Sequence, residues 1–172
     1  LSKKWGLAPS QFAFGNGSNE ILEFVAQCFV GEGDETVFGA QSFIVYKLAT
    51  IFMGGVCKSV PMPGMKYDLD AMRDAVTDKT KVVFMTNPNN PTGCVVKQSE
   101  VENFVRSLPE NVVFCYDEAY TEYQRDPVDL RGLISEGYNV ICLRTFSKIY
   151  GLAGLRIGYS YSSEEIAGYI NR

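Results

Sequence analysis

Val82-Val83-Phe84-Met85 and Val112-Val113-Phe114-Cys115-Tyr116 are apolar at every position. A strand with one wet face alternates apolar and polar residues. An unbroken apolar run of this length suits a strand covered on both faces, as in a parallel sheet with helices above and below it. Working outward, comparable runs rich in Val, Ile, Phe and Tyr lie at 12–14, 36–38, 56–60, 140–143 and 155–161, which with 81–85 and 112–116 makes seven expected strands. Between most of them the apolar spacing lengthens to that of a helix, at 19–30, 43–53, 69–76, 98–108 and 130–136. This alternation predicts an α/β chain, a three-layer α/β/α arrangement around a mainly parallel sheet of about seven strands. Ser18 is placed to cap the first of these helices, and Gly31 with Gly33 to end it.

The chain has 172 residues, 46% hydrophobic and 21% charged, which suits one globular domain with a sizeable core and excludes a disordered or disulfide-stapled chain. Sixteen Lys and Arg against twenty Asp and Glu give a net charge of −4, with no basic run. Neither nucleic acid nor an anionic membrane is therefore expected as a partner. Histidine is absent, which removes Ser-His-Asp and Cys-His catalysis and every imidazole metal site, and no metal is expected. Acid–base work falls to Lys, Tyr, Asp, Glu or Cys. The five cysteines contain no C-x-x-C pair and read as reduced, mostly buried thiols of a cytoplasmic protein. No run approaches the roughly 20 apolar residues of a membrane span, and the start lacks a signal-peptide pattern. Because the chain opens at Leu1 and stops at Asn171-Arg172 within a helix-like stretch, a piece of a longer protein is expected.

Four segments that follow strands carry the chemistry. The turn Gly15-Asn16-Gly17-Ser18-Asn19-Glu20 runs from a strand into a helix, where free N–H groups and the helix dipole attract an anion. Glu20 stands in place of the third glycine of G-x-G-x-x-G, and no acidic residue ends the next strand, so a nicotinamide dinucleotide is disfavoured. The absence of G-K-[ST] removes a P-loop. The second segment, residues 86–93, is a rigid turn presenting three asparagine amides. The third, Tyr116-Asp117-Glu118-Ala119-Tyr120, sets carboxylates at the end of an apolar strand, where burial demands a partner. The fourth holds Thr145, Ser147 and Lys148, with Arg156 eight positions further on. Each segment alone also fits an ordinary turn, cap, salt bridge or solvated charge. Together, at one sheet edge, they supply an anion cradle, an amide, a tyrosine, a carboxylate and a lysine. That set holds a phosphorylated aldehyde cofactor as a Schiff base.

The strings GNGSNE, NPNNPTG, YDEAYTEY and RTFSKIYGLAGLRIGY, in this order, resemble the fold-type-I pyridoxal-phosphate aminotransferases, and within them the histidinol-phosphate aminotransferase branch. The resemblance covers essentially all 172 residues. It implies that residues 1–172 form the large, pyridoxal 5'-phosphate-binding domain, with the family's N-terminal arm and C-terminal small domain absent. It implies a homodimer acting on an amino donor and a 2-oxo acid, namely histidinol phosphate and 2-oxoglutarate in histidine biosynthesis. A related aromatic aminotransferase and a threonine-phosphate decarboxylase share the same motifs. An aminotransferase-like sensing domain of a transcription regulator is a reading from a different class.

By the same resemblance Lys148 forms the Schiff base and shuttles the proton between substrate and cofactor, and Asp117 pairs with the pyridinium nitrogen. Asn90 and Tyr120 hydrogen-bond the cofactor's phenolic oxygen. Thr145, Ser147, Arg156 and the backbone of Ser18 and Asn19 hold the phosphate. Phe43 takes the position of the ring that stacks on the cofactor, although a phenylalanine at a helix start is also an ordinary core residue. Asn19 stands where the family often has Asp, and Gln41 where it often has Pro.

Overall fold

A computed structural model describes residues 1–172. Its seven strands are β1 (Phe12–Asn16), β2 (Glu35–Gly39), β3 (Val56–Val60), β4 (Thr80–Thr86), β5 (Val113–Asp117), β6 (Val140–Thr145) and β7 (Ile157–Tyr161). They form one sheet in the order β1-β7-β6-β5-β4-β2-β3. The helices are α1 (Ser2–Trp5), α2 (Ser18–Phe29), α3 (Val45–Phe52), α4 (Leu69–Asp74), α5 (Gln98–Ser107), α6 (Arg131–Ser135) and α7 (Glu164–Ile170).

Both faces of the sheet are dry, as the unbroken apolar runs require. On one side Val83, Met85, Phe114, Tyr116 and Cys142 pack with Val101, Phe104 and Val105 of α5 and Leu133 and Ile134 of α6. On the other, Val82, Phe84, Val113, Cys115 and Ile141 pack with Ile21, Leu22 and Val25 of α2, Tyr46 of α3 and Ile166 of α7. Neighbouring residues of one strand thus feed opposite layers, following the two-residue period of the pleat.

The pairings among β2, β3, β4, β5 and β6 are parallel. β7 is the exception and runs antiparallel to both β6 and β1. It starts at Ile157 rather than at 155, because Ala153–Leu155 form a 3₁₀ turn and Arg156 takes a left-handed conformation, φ 49°. Reversal of β7 leaves β1 parallel to β6. The C-terminal ends of β1, β4, β5 and β6 and the N-terminal end of β7 therefore lie on a single edge, where open α/β sheets bind ligands.

Two end signals fall differently from the sequence expectation. Ser18 is the first residue of α2, and Gly17 (φ 77°) is its N-cap with no side-chain cap. Val30 closes the helix in an extended conformation, and the left-handed glycine, Gly33, belongs to the following turn. The thiols divide as well. Cys115 and Cys142 are buried on the interior strands β5 and β6, Cys57 on the edge strand β3 and Cys94 are half-buried, and Cys28 is exposed, so full burial is confined to the two cysteines of interior strands. No helix is long and apolar enough to cross a membrane.

Candidate active site

The sheet edge opens into a cavity of ≈ 420 Å³. Ser18, Asn19, Phe43, Asn90, Asp117, Tyr120, Thr145, Ser147, Lys148 and Arg156 all line it, joined by Asn16, Glu20, Glu23, Thr86 and Ala119. Every residue to which the resemblance gives a cofactor contact is therefore brought to one place, by five different sheet connections.

One end of the cavity is built around the start of α2. The N–H groups of a first helical turn have no intrahelical acceptor, and here no side chain caps them. Glu20 folds back instead, accepting from the Asn16 N–H at 2.7 Å and from Asn16 Nδ2 at 2.9 Å. Those bonds hold its carboxyl below the usual carboxylate range. The Asn19 side chain turns along the helix to Glu23, 2.7 Å away, and leaves its backbone N–H to the cavity end of the helix.

Opposite that turn, Arg156 donates from Nη1 to Ser147 Oγ at 3.2 Å and from Nη2 to the Asn16 carbonyl at 3.3 Å. The Ser147 N–H is held by Thr145 Oγ1 at 3.1 Å. A guanidinium, two hydroxyls and the positive end of a helix dipole converge, the arrangement that binds a phosphate-like anion.

Two glycines make that approach possible. A Cβ on Gly17 would lie 2.6 Å from Arg156 Nη2. A Cβ on Gly158 of β7 would lie 2.3 Å from the Ser18 nitrogen, so α2 can start against the sheet only because that strand position has no side chain. Gly158 was not identified from sequence, since the atom that excludes a side chain comes from the other end of the chain. Its place inside the string RTFSKIYGLAGLRIGY was the available signal.

The other end is buried. Asp117, the last residue of β5, is 4% exposed. Its Oδ1 accepts from the Ala119 N–H at 3.0 Å, and its Oδ2 from the Tyr46 hydroxyl at 3.1 Å. Burial pushes its carboxyl up to about 6 against these two bonds and the charge of Lys148. Lys148 is exposed, and its Nζ sits 5.1 Å from the centre of the Tyr120 ring, within cation–π reach. Phe43 lies half-buried just before α3, edge-on to Tyr46 at 5.9 Å.

Of the three amides expected in the 86–93 turn, Asn90 alone lines the cavity. Asn87 is fully buried and bonds the Val96 carbonyl and the Tyr116 hydroxyl, each at 2.8 Å. Asn89 is 3% exposed. It bonds Thr92 Oγ1 and the Gln41 carbonyl at 2.8 Å and receives the Tyr67 hydroxyl at 2.8 Å. These two amides hold the turn that presents the third. Because the Gln41 contact is made by backbone, the residue type at 41 does not decide it.

A three-layer α/β sheet with an anion cradle, a buried carboxylate and a free amine at its C-terminal edge is an arrangement suited to a phosphorylated ligand. The sequence comparisons agree: the model of the family described as aminotransferase class I and II matches residues 1–172, and the chain belongs to that family. A relative named histidinol-phosphate aminotransferase 2, from Haemophilus influenzae (strain 86-028NP), is 45% identical over 174 residues, covering 100% of this chain and 48% of the relative. An aromatic amino acid aminotransferase of Streptomyces avermitilis is 43% identical over 175 residues, covering 100% and 49%. The solved histidinol-phosphate aminotransferase of Sinorhizobium meliloti, in complex with pyridoxal-5'-phosphate, superposes with a TM-score of 0.89 at 32% identity, covering 97% of this chain and 46% of that one. The chain thus spans about half the length of the curated relatives it matches.

Proposed function

We propose that residues 1–172 are the large, cofactor-binding domain of a pyridoxal-phosphate-dependent aminotransferase. The observation that carries this is the single cavity in which an anion cradle, a buried carboxylate and Lys148 meet. The residues present fit the group at both ends: the uncapped start of α2 with Arg156 suits its phosphate, and Asp117, buried with only neutral hydrogen-bond donors, suits its cationic ring nitrogen. When bound, pyridoxal phosphate supplies an aldehyde for reaction with amines and a protonated ring that takes up carbanion charge.

The chain's own residues divide the remaining work. Lys148 provides the amine that holds the cofactor and, once released by substrate, moves the proton at the substrate Cα. Asp117 keeps the ring nitrogen protonated. The Asn90 amide and the Tyr120 hydroxyl bond the phenolic oxygen. Thr145, Ser147, Arg156 and the N–H groups of Ser18 and Asn19 anchor the phosphate, and Phe43 covers one ring face.

For the whole protein we assign amino transfer between histidinol phosphate, or its ketone imidazole acetol phosphate, and 2-oxoglutarate or glutamate. Support comes from relatives of that name. Transfer from aromatic amino acids is the second reading, favoured by the Streptomyces relative at nearly the same identity. We further assign a homodimer, consistent with exposed Phe14, Ile149, Tyr150, Leu152 and Leu155 on the segments around the cavity. The five unpaired thiols suit the reducing cytoplasm. Steady-state assays of the full-length protein with histidinol phosphate, aromatic amino acids and threonine phosphate test the assignment. Histidinol phosphate is expected to show the highest kcat/KM; preference for phenylalanine or tyrosine would transfer the assignment to the second reading, and decarboxylation without transamination would overturn both.

A further inference from the structure

We propose that Tyr46 is a positioning residue for Asp117, a hydroxyl behind the carboxylate that keeps it oriented and ionised for the cofactor's ring nitrogen; this rests on the function proposed above.

Tyr46 is fully buried on α3 and does not line the cavity. Its ring stacks on Phe84 of β4, centroids 5.0 Å apart and planes 4° from parallel, with Phe38 and Phe43 on its other sides. This aromatic box fixes where the hydroxyl sits, and the hydroxyl donates to Asp117 Oδ2 at 3.1 Å. A buried phenol needs a partner, and this carboxylate oxygen is the one it has. Burial and the charge of Asp117 push the phenol well above its ordinary value, so it remains a donor throughout the working pH range.

With the Ala119 N–H on Oδ1, each carboxylate oxygen receives one neutral donor from the fold. The titratable groups around Asp117 are Tyr46 from α3, Tyr67 from the segment before α4, Cys115 on its own strand and Lys148 from the segment after β6. Of these, Lys148 is the one cationic side chain, and its amine would be committed to the aldehyde when the cofactor is held. The Tyr46 bond does not disappear at that moment. It stabilises the ionised carboxylate whatever the state of the lysine. Phe43, three residues earlier in sequence, lines the cavity, so one segment sets both the ring that covers the cofactor and the hydroxyl that braces its partner.

The test is Tyr46→Phe in the full-length protein, which removes one oxygen and keeps the ring. Pyridoxal-phosphate affinity is measured by fluorescence titration from pH 5 to pH 9, beside wild type, D117N and the Y46F/D117N double variant. Loss of a hydrogen bond to a charged group is expected to move the acidic fall-off in affinity up by about one pH unit, so that affinity is about tenfold weaker near pH 5 and about twofold weaker at pH 7. Affinity should approach wild type toward pH 9, and Y46F should add nothing in the D117N background. An unchanged pH profile in Y46F, or an equal loss with and without Asp117, overturns the role of Tyr46 while leaving the cofactor assignment standing. Failure of the wild type to bind pyridoxal phosphate at any pH overturns both. If Y46F alone fails to fold, a double variant that folds and equals D117N supports the proposal, and one that falls below D117N overturns it.

Discussion

Asp117 and Glu118 are consecutive carboxylates, 4% and 1% exposed, that meet opposite layers of the same sheet. Burial drives both carboxyls upward, and the fold responds differently to each. Glu118 receives Arg144 Nη1 at 3.2 Å and the Tyr161 hydroxyl at 3.1 Å, while the same guanidinium also bridges to Glu122 and lies 4.9 Å from the Trp5 ring centre. Asp117 receives two neutral donors and borders a cavity. A buried charge is tolerated when a cation answers it. The fold supplies that cation for Glu118 and leaves the place open at Asp117, so Glu118 belongs to the architecture while Asp117 keeps the free side that its proposed cofactor role requires.

The sharpest way to break this division is Lys148→Ala, which deletes both the amine proposed to react and the one cation whose charge Asp117 feels. Transamination by the full-length protein is expected to fall at least about a thousandfold. The melting temperature should hardly change, because this side chain is exposed; turnover and melting curves on the same preparation decide it.

Arg144→Met comes next and strands Glu118 without its cation. A loss of about 3–5 kcal/mol in urea unfolding is expected, with cofactor-site residues untouched.

Asp117→Asn should do the reverse of Arg144→Met. Activity should drop about a hundredfold, yet the cofactor-free protein should gain up to about 2 kcal/mol at pH 8. The sign follows from the raised carboxyl. Its contribution is fully present below the unfolded value near 3.8 and is lost as pH rises through about 6, so the variant lacks a loss the wild type suffers. Urea midpoints at pH 4 and pH 8 measure it; equal pH dependence in both proteins would contradict the reading.

Gly158→Ala should have the smallest effect, about a tenfold loss of cofactor affinity as the start of α2 is displaced from the sheet. Equilibrium dialysis with pyridoxal phosphate gives the number.

What could be read in advance had local causes. Residues 82–85 and 112–116 announce their strands because neighbouring side chains feed two dry layers, and Lys148, Asp117, Asn90 and Arg156 sit in strings tied to strand ends. What escaped depends on distant partners. β7 runs antiparallel because of its pairing with β1 and β6, which no local pattern within 157–161 encodes. Gly17, not Ser18, caps α2, since the turn is closed by Glu20 folding back on Asn16. Asn87 and Asn89 have the same chemistry as Asn90, and only the packing of Tyr116, Tyr67 and Val96 sorts them from it. Tyr46 looks like one more aromatic on an apolar helix until Asp117 is placed behind it.

The most direct test of the account is borohydride reduction of the full-length protein in the presence of pyridoxal phosphate, followed by peptide mass mapping. A single modified peptide is expected, with the label on Lys148. Label on a different lysine, or none with cofactor in excess, would contradict it.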